Sequence, residues 1–165
     1  MFSTQKSLQR SERQYDFHLL GRKPLVRVRS TIPIGLSAEV SGVTGGAQGL
    51  GFVCARALLE HGVAYLAIFD VNPECGEKAL AHLQGLYQNN EPPETVFKLV
   101  DVTDEGSVDE AVNGVAQHFE GVDILLCFAG ITESRLAVEY PIDSWRRIFD
   151  VNVHGSFLVA RAVAR

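Results

Sequence analysis

Thr44-Gly45-Gly46-Ala47-Gln48-Gly49-Leu50-Gly51 leads at once into an amphipathic pattern and then into the apolar run Val63-Ala64-Tyr65-Leu66-Ala67-Ile68-Phe69, which stops at Asp70. A glycine-rich turn between a strand and a helix permits positive φ angles and close approach of a phosphate. The first N–H groups of the helix then point at that phosphate. The continuous apolar run is too short for a typical helix and reads as a parallel strand covered on both faces. Together they predict an α/β sheet with a dinucleotide site on its carboxyl edge, the alternative being a purely structural strand-to-helix loop.

Upstream the pattern is irregular. Residues 1–17 are polar and mixed in charge and read as a disordered arm. Residues 18–26 look like the entry to a first strand, but 27–43 stand between them and the glycine turn, with Pro33, Gly35 and Gly42 among them. Central strands tolerate Pro and Gly poorly, so the first strand is either rebuilt from Ala38 to Val43 or disrupted, and a weakened strand is the expectation.

Downstream, Leu50, Val53, Cys54, Ala57 and Leu58 recur at helical spacing, and Gly62 closes that helix. Asn72-Pro73 caps a second helix with Cys75, Ala79, Leu83 and Leu86 as its stripe. Val96–Val100 reads as a third strand ending at Asp101. Thr103 is the expected cap of a third helix facing inward through Val108, Ala111, Val112, Val115, Ala116 and Phe119. Ile124–Gly130 reads as a fourth buried strand, and Pro141 opens a last helix through Trp145, Ile148, Phe149 and Phe157 with Asn152 midway. Strict alternation of strands and helices predicts a Rossmann-like doubly wound parallel sheet of order 3-2-1-4 spanning residues 18–165.

The 165 residues suffice for one core, and a formal net charge of −5 argues against nucleic acid or an anionic membrane as the main partner. Apolar runs stop short of a membrane span. Cys54, Cys75 and Cys127 fit neither a metal pattern nor a disulfide framework, which points to a reducing compartment, the cytoplasm. A mitochondrial presequence fits the N-terminus less well, because Glu12 and Asp16 interrupt it. The histidines His61, His82, His118 and His154 lack ligand spacing, so no metal is expected.

The predicted strand ends bring the glycine turn, Asp70, Asp101 and Ala129-Gly130 to one edge. Asp70 stands about 20 residues beyond the turn, where a carboxylate accepts hydrogen bonds from ribose hydroxyls and repels a 2′-phosphate. Val71 offers no cation, so NAD is preferred to NADP. A capping role for Asp70 is the alternative.

In these motifs the chain resembles the short-chain dehydrogenase/reductase family. Thr44-Gly45-x-x-x-Gly49-x-Gly51 matches its cofactor motif, Asp101-Val102 its adenine-contacting pair, and Asp150-Val151-Asn152 its helix asparagine. The resemblance, finest to fungal-type polyol and sugar-alcohol dehydrogenases, implies an NAD-dependent oxidoreductase acting on an alcohol or ketone. It implies a cofactor site of Gly45, Gln48, Gly49, Leu50, Gly51, Asp70, Asp101, Val102, Ala129 and Gly130, with Asn152 as a catalytic-site residue; Asp101 serves equally as a loop cap, and Asn152 as a structural polar group.

Three departures stand out. Joining residues 23–26 directly to Thr44 would give the family's ordinary first strand and glycine turn, so residues 27–43 look like an insertion of the kind a retained intron or a gene-model error leaves. Cys127-Phe128-Ala129-Gly130 replaces the family's Asn-Asn-Ala-Gly, which predicts loss of the hydrogen bonds bracing the central strand. The family's catalytic Ser and Tyr-x-x-x-Lys fall beyond Arg165, and none of Tyr15, Tyr65, Tyr87 or Tyr140 has a lysine four residues on. The implied chain is a truncated one whose fourth strand has an open edge and whose last helix exposes Trp145, Phe149 or Phe157, inviting self-association. The alternative function is a non-catalytic dinucleotide-binding or interaction fragment.

Overall fold

Four parallel strands lie in the order β3-β2-β1-β4, as the alternation predicts, with β1 at Val40–Thr44, β2 at Tyr65–Asp70, β3 at Glu94–Leu99 and β4 at Ile124–Cys127. The computed structural model describes residues 39–87, 93–119 and 121–165. The expected N-terminal arm and most of segment 27–43 lie outside those residues.

The first strand is not weakened. Val40–Thr44 are all buried and pair with β2 on one side, from Val40 opposite Tyr65 to Thr44 opposite Phe69, and with β4 on the other, from Ser41 opposite Ile124 to Thr44 opposite Cys127. The last residues of the segment that read as foreign are therefore the central strand itself. What makes Gly42 tolerable there is Phe69 on the neighbouring strand. A Cβ on Gly42 would lie 3.0 Å from the Phe69 ring, so the aromatic fills the space the glycine leaves.

Helices cover both faces. On one, α1 (Gly49–Glu60) and α2 (Pro73–Gly85) enclose Val43, Leu66, Ile68, Ala55, Leu59, Ala79 and Leu83. On the other, α3 (Glu105–Phe119) and α5 (Ser156–Val163) enclose Val40, Ala67, Phe69, Val108, Val112, Val115 and Val159. The predicted face of α3 is the packed one. That of α1 is so only in part: Leu58 packs against the core, but Leu50 and Val53 point to solvent, and Gly51, Ala55 and Leu59 are the fully buried positions. The glycine turn folds back so closely that only a residue without a side chain fits at Gly51, and this rotates the helix away from its most apolar stripe. In α2, likewise, Gly76 meets the sheet because the Phe97 ring occupies its Cβ position, while Leu86 is exposed.

Caps explain where the helices begin and end. Asn72 Oδ1 accepts from Cys75 N at 3.0 Å with Pro73 at the first helical position, as the sequence predicts. Gly62 has φ +83° beyond the last turn of α1. At α3, Asp104 does the capping expected of Thr103, its Oδ1 accepting from Gly106 N at 2.8 Å and Ser107 N at 3.3 Å. After β4 a long segment with one 3₁₀ turn leads to α4 (Ile142–Phe149), and π-helical turns at Asp150–Gly155 join α4 to α5. No pattern in the sequence announces that π segment. Gly155 seats it, since a Cβ there would meet the Val102 side chain at 2.6 Å.

β4, expected to be buried, is only half-buried, and Cys127 at its end is exposed. Among the described residues β4 has one strand neighbour, β1.

Candidate dinucleotide site

The ends of β1 and β2 shape the glycine turn. Gly45 and Gly46 donate to the Phe69 carbonyl at 2.8 and 3.4 Å, and positive φ angles at Gly45 (+63°) and Gly49 (+56°) bend the chain into α1. Any side chain at Gly51 would run into the Gly45 carbonyl, and one at Gly45 would lie 2.7 Å from the backbone of Phe128 and Ala129. The turn is thus pinned between its own helix and the exit of β4. The space over Gly49 is open. Gln48 at the N-cap makes no side-chain cap bond, leaving the first N–H groups of α1 for an anion.

Asp70 is buried and turned into this corner. Its Oδ2 accepts from Ala47 N at 3.1 Å and its Oδ1 from Asn72 N at 3.0 Å, so one carboxylate ties the glycine turn to the start of α2. Each oxygen keeps a further lone pair for a ligand hydroxyl. The exposed side chain beside it is Val71.

Thr44 supplies the bracing expected to be lost with the Asn-Asn pair. It is buried; its carbonyl accepts from Phe128 N at 3.0 Å, and its Oγ1 accepts from Phe128 N and Ala129 N at 3.2 Å each. The β4 exit is therefore held by backbone donors, which do not depend on what side chains stand at 127 and 128. Although Cys127 is exposed as a residue, partial desolvation of its thiol by the surrounding protein raises its pKa, and a hydrogen bond with Thr44 acts in the opposite sense.

Asp101 follows β3 on the same edge. Its Oδ1 accepts from the Thr103 hydroxyl at 2.7 Å and Thr103 N at 2.9 Å, and these bonds, with a smaller contribution from the Arg147 charge on α4, hold its pKa below the ordinary carboxylate value. Val102 is buried. Arg147 is the neighbour that sequence reasoning missed, because no spacing rule connects positions 101 and 147.

Asn152 lies in the π-helical turns, not in a regular α-helix. Its Oδ1 accepts from Ile131 N at 2.9 Å and its Nδ2 donates to Ile131 O at 3.0 Å, pairing the whole amide with one backbone unit of the loop after Gly130. Its own carbonyl accepts from Ser156 Oγ at 2.9 Å. The loop is further tied down by Tyr140, whose hydroxyl donates to Glu133 O at 3.2 Å. The structure thus gathers the glycine turn, Asp70, Asp101, Ala129-Gly130 and Asn152 at the carboxyl edge, where open α/β sheets bind ligands.

Comparison with known proteins agrees with this geometry. The family model described as short chain dehydrogenase matches residues 39–165. Zerumbone synthase of Zingiber zerumbet is 35% identical over 132 residues, 79% of this chain and 47% of that protein. The 2-dehydro-3-deoxy-L-rhamnonate dehydrogenase (NAD(+)) of a Sphingomonas strain is 38% identical over 122 residues, 73% of this chain and 45% of that protein. A short-chain type dehydrogenase/reductase from Mycobacterium marinum superposes with a TM-score of 0.72 at 27% identity, over 79% of this chain and 50% of its own. The chain spans about half the length of the relatives it matches. With the family model covering all but the first 38 residues, the chain belongs to the short-chain dehydrogenase family.

Proposed function

We propose that this edge holds NAD in preference to NADP, and that the activity it serves is oxidation of an alcohol or reduction of a ketone, with polyols, sugar alcohols and related sugar acids as the substrate class. The observation that carries the reading is Asp70: a buried carboxylate, aimed into the glycine turn and flanked by exposed Val71, favours ribose hydroxyls and repels a 2′-phosphate. In this reading the α1 N-terminus and Gly45, Gln48, Gly49, Leu50 and Gly51 meet the pyrophosphate, Asp70 the ribose, Asp101 and Val102 the adenine side, and Ala129 and Gly130 the floor of the edge. NAD, when bound, supplies the hydride acceptor. The substrate class draws support from the rhamnonate dehydrogenase, a sugar-acid enzyme that its name ties to NAD(+).

A second reading is binding without turnover. The Tyr87 hydroxyl donates to Leu59 O at 2.9 Å and that of Tyr140 to Glu133 O, so both are committed to backbone carbonyls. A site without a positioned acid–base group forgoes roughly 10²–10⁴ in rate.

Calorimetric titration decides the cofactor. NADH is expected to bind at least about tenfold more tightly than NADPH, equivalent to about 1.4 kcal/mol, and Asp70→Asn to narrow that gap; equal or tighter binding of NADPH refutes the reading. Turnover of any alcohol in a polyol panel removes the second reading, and NADH binding without turnover favours it.

A further inference from the structure

Among the described residues β3 pairs only with β2, from Glu94 opposite Tyr65 to Leu99 opposite Asp70, and its outer side carries a row of backbone groups with no strand beside them. Which groups these are follows from one hydrogen bond. Val100 N donates to Asp70 O at 2.9 Å, and backbone groups of successive residues along a strand point to opposite sides. The N–H and C=O groups of Glu94, Val96 and Lys98 therefore face β2 with those of Val100, and those of Thr95, Phe97 and Leu99 face outward.

The side chains divide in the same rhythm. On the α3 face, Val96 packs against the core, Glu94 pairs with His118 at 2.6 Å, and Lys98 lines a groove with Glu110, Asn113 and Gln117. Phe97 lies on the other face, against Gly76 of α2. Glu94 and Lys98 are exposed.

Such an edge is a template for a further strand. A second copy of β3 laid antiparallel against it, about a twofold axis perpendicular to the sheet, meets the backbone only in registers that set odd positions opposite odd ones. In the register centred on Val96, Thr95 and Phe97 of the second copy form a hydrogen-bonded pair. Glu94 and Lys98 of that copy form a non-hydrogen-bonded pair on the α3 face, where opposing side chains stand closer. The axis repeats both pairs. One Glu94 oxygen holds His118, and the other is left for the lysine. Leu99, 60% exposed, comes level with Pro93 of the second copy, and because proline has no N–H the ladder stops there. The neighbouring registers, shifted two residues either way, set Glu94 against Val96 or Val100 and lose both charge pairs.

We infer that the outer edge of β3 is an isologous interface at which two copies of the chain join their sheets into one, antiparallel and centred on Val96. The backbone restricts the registers, and the charges select one; a twofold contact requires such self-complementarity.

Sedimentation equilibrium of the full chain is expected to show a concentration-dependent dimer. Glu94→Lys and Lys98→Glu are each expected to raise its dissociation constant at least about tenfold. The double variant is expected to restore it, because both cross-pairs are then reversed, although the His118 contact stays broken. With Glu94→Cys and Lys98→Cys in the same chain, mild oxidation is expected to link position 94 of one copy to position 98 of the other, as mapped by mass spectrometry. Either cysteine variant alone is not expected to link to itself, since about 13 Å of extended strand separates like positions. A monomer at all concentrations, charge variants without effect, a double variant that is not restored, or linkage between like positions overturns the inference. Circular dichroism of each variant separates lost association from lost fold.

Discussion

The corner made by β1, the glycine turn and β2 contrasts with the region made by β4, α4 and α5. In the first, apolar side chains are buried on both sheet faces and polar groups are anchored internally: Asp70 by Ala47 and Asn72, Thr44 by Phe128 and Ala129. In the second, β4 is half-buried and Trp145, Phe149, Val153 and Phe157 are open to solvent. Both belong to one sheet. The difference shows that a parallel strand is buried by its neighbours and not by its own composition: Ile124-Leu125-Leu126 is as apolar as any segment of β2, yet among the described residues β2 has a strand on each side and β4 has one.

Substitutions sharpen that contrast. The largest effect is expected for Gly51→Ala, whose methyl group has only the Gly45 backbone to meet: about 3 kcal/mol of lost stability by thermal or urea unfolding, with loss of NADH binding. Thr44→Val keeps shape but strips the hydroxyl from Ala129 N, while Phe128 N retains the Thr44 carbonyl; a loss of about 1–2 kcal/mol is expected in the same measurement.

A smaller effect is expected at Asp101. Its pKa is lowered in the folded state, so the associated stability is fully present above the unfolded value near 3.9 and is lost as pH falls through the folded pKa. Thr103→Ala removes the hydroxyl bond and shifts the Asp101 titration upward, readable by NMR, with less than about 1 kcal/mol at stake after solvent screening. The smallest is Val138→Ala in the exposed 3₁₀ turn, within about 0.5 kcal/mol of wild type. A Val138 effect as large as that of Thr44 breaks the comparison.

Much of this was legible along the chain because it rests on local chemistry. Asn72-Pro73 caps α2 since its side chain reaches a donor three residues on, and Gly62 ends α1 since it alone adopts the left-handed conformation readily. Asp70 is recognisable by its distance from the glycine turn. The first strand is rebuilt over Val40–Thr44 and not weakened; Gly42 looks disruptive along the chain because the ring that fills its space, Phe69, stands 27 positions on. The helix face of α1 was misread because apolarity alone favours Leu50 and Val53, whereas close backbone approach selects Gly51.

The amino-acid sequence by itself determined the alternation of elements, the strand order, the glycine turn and the carboxylate facing it, all of which follow from periodicity and from residues acting within one turn or one strand. Only the tertiary structure decided that Thr44 braces the β4 exit and that Asn152 clamps Ile131 from π-helical turns. Those features depend on partners 21 to 85 residues apart or on a change of helical pitch, and neither leaves a spacing that can be read along the chain.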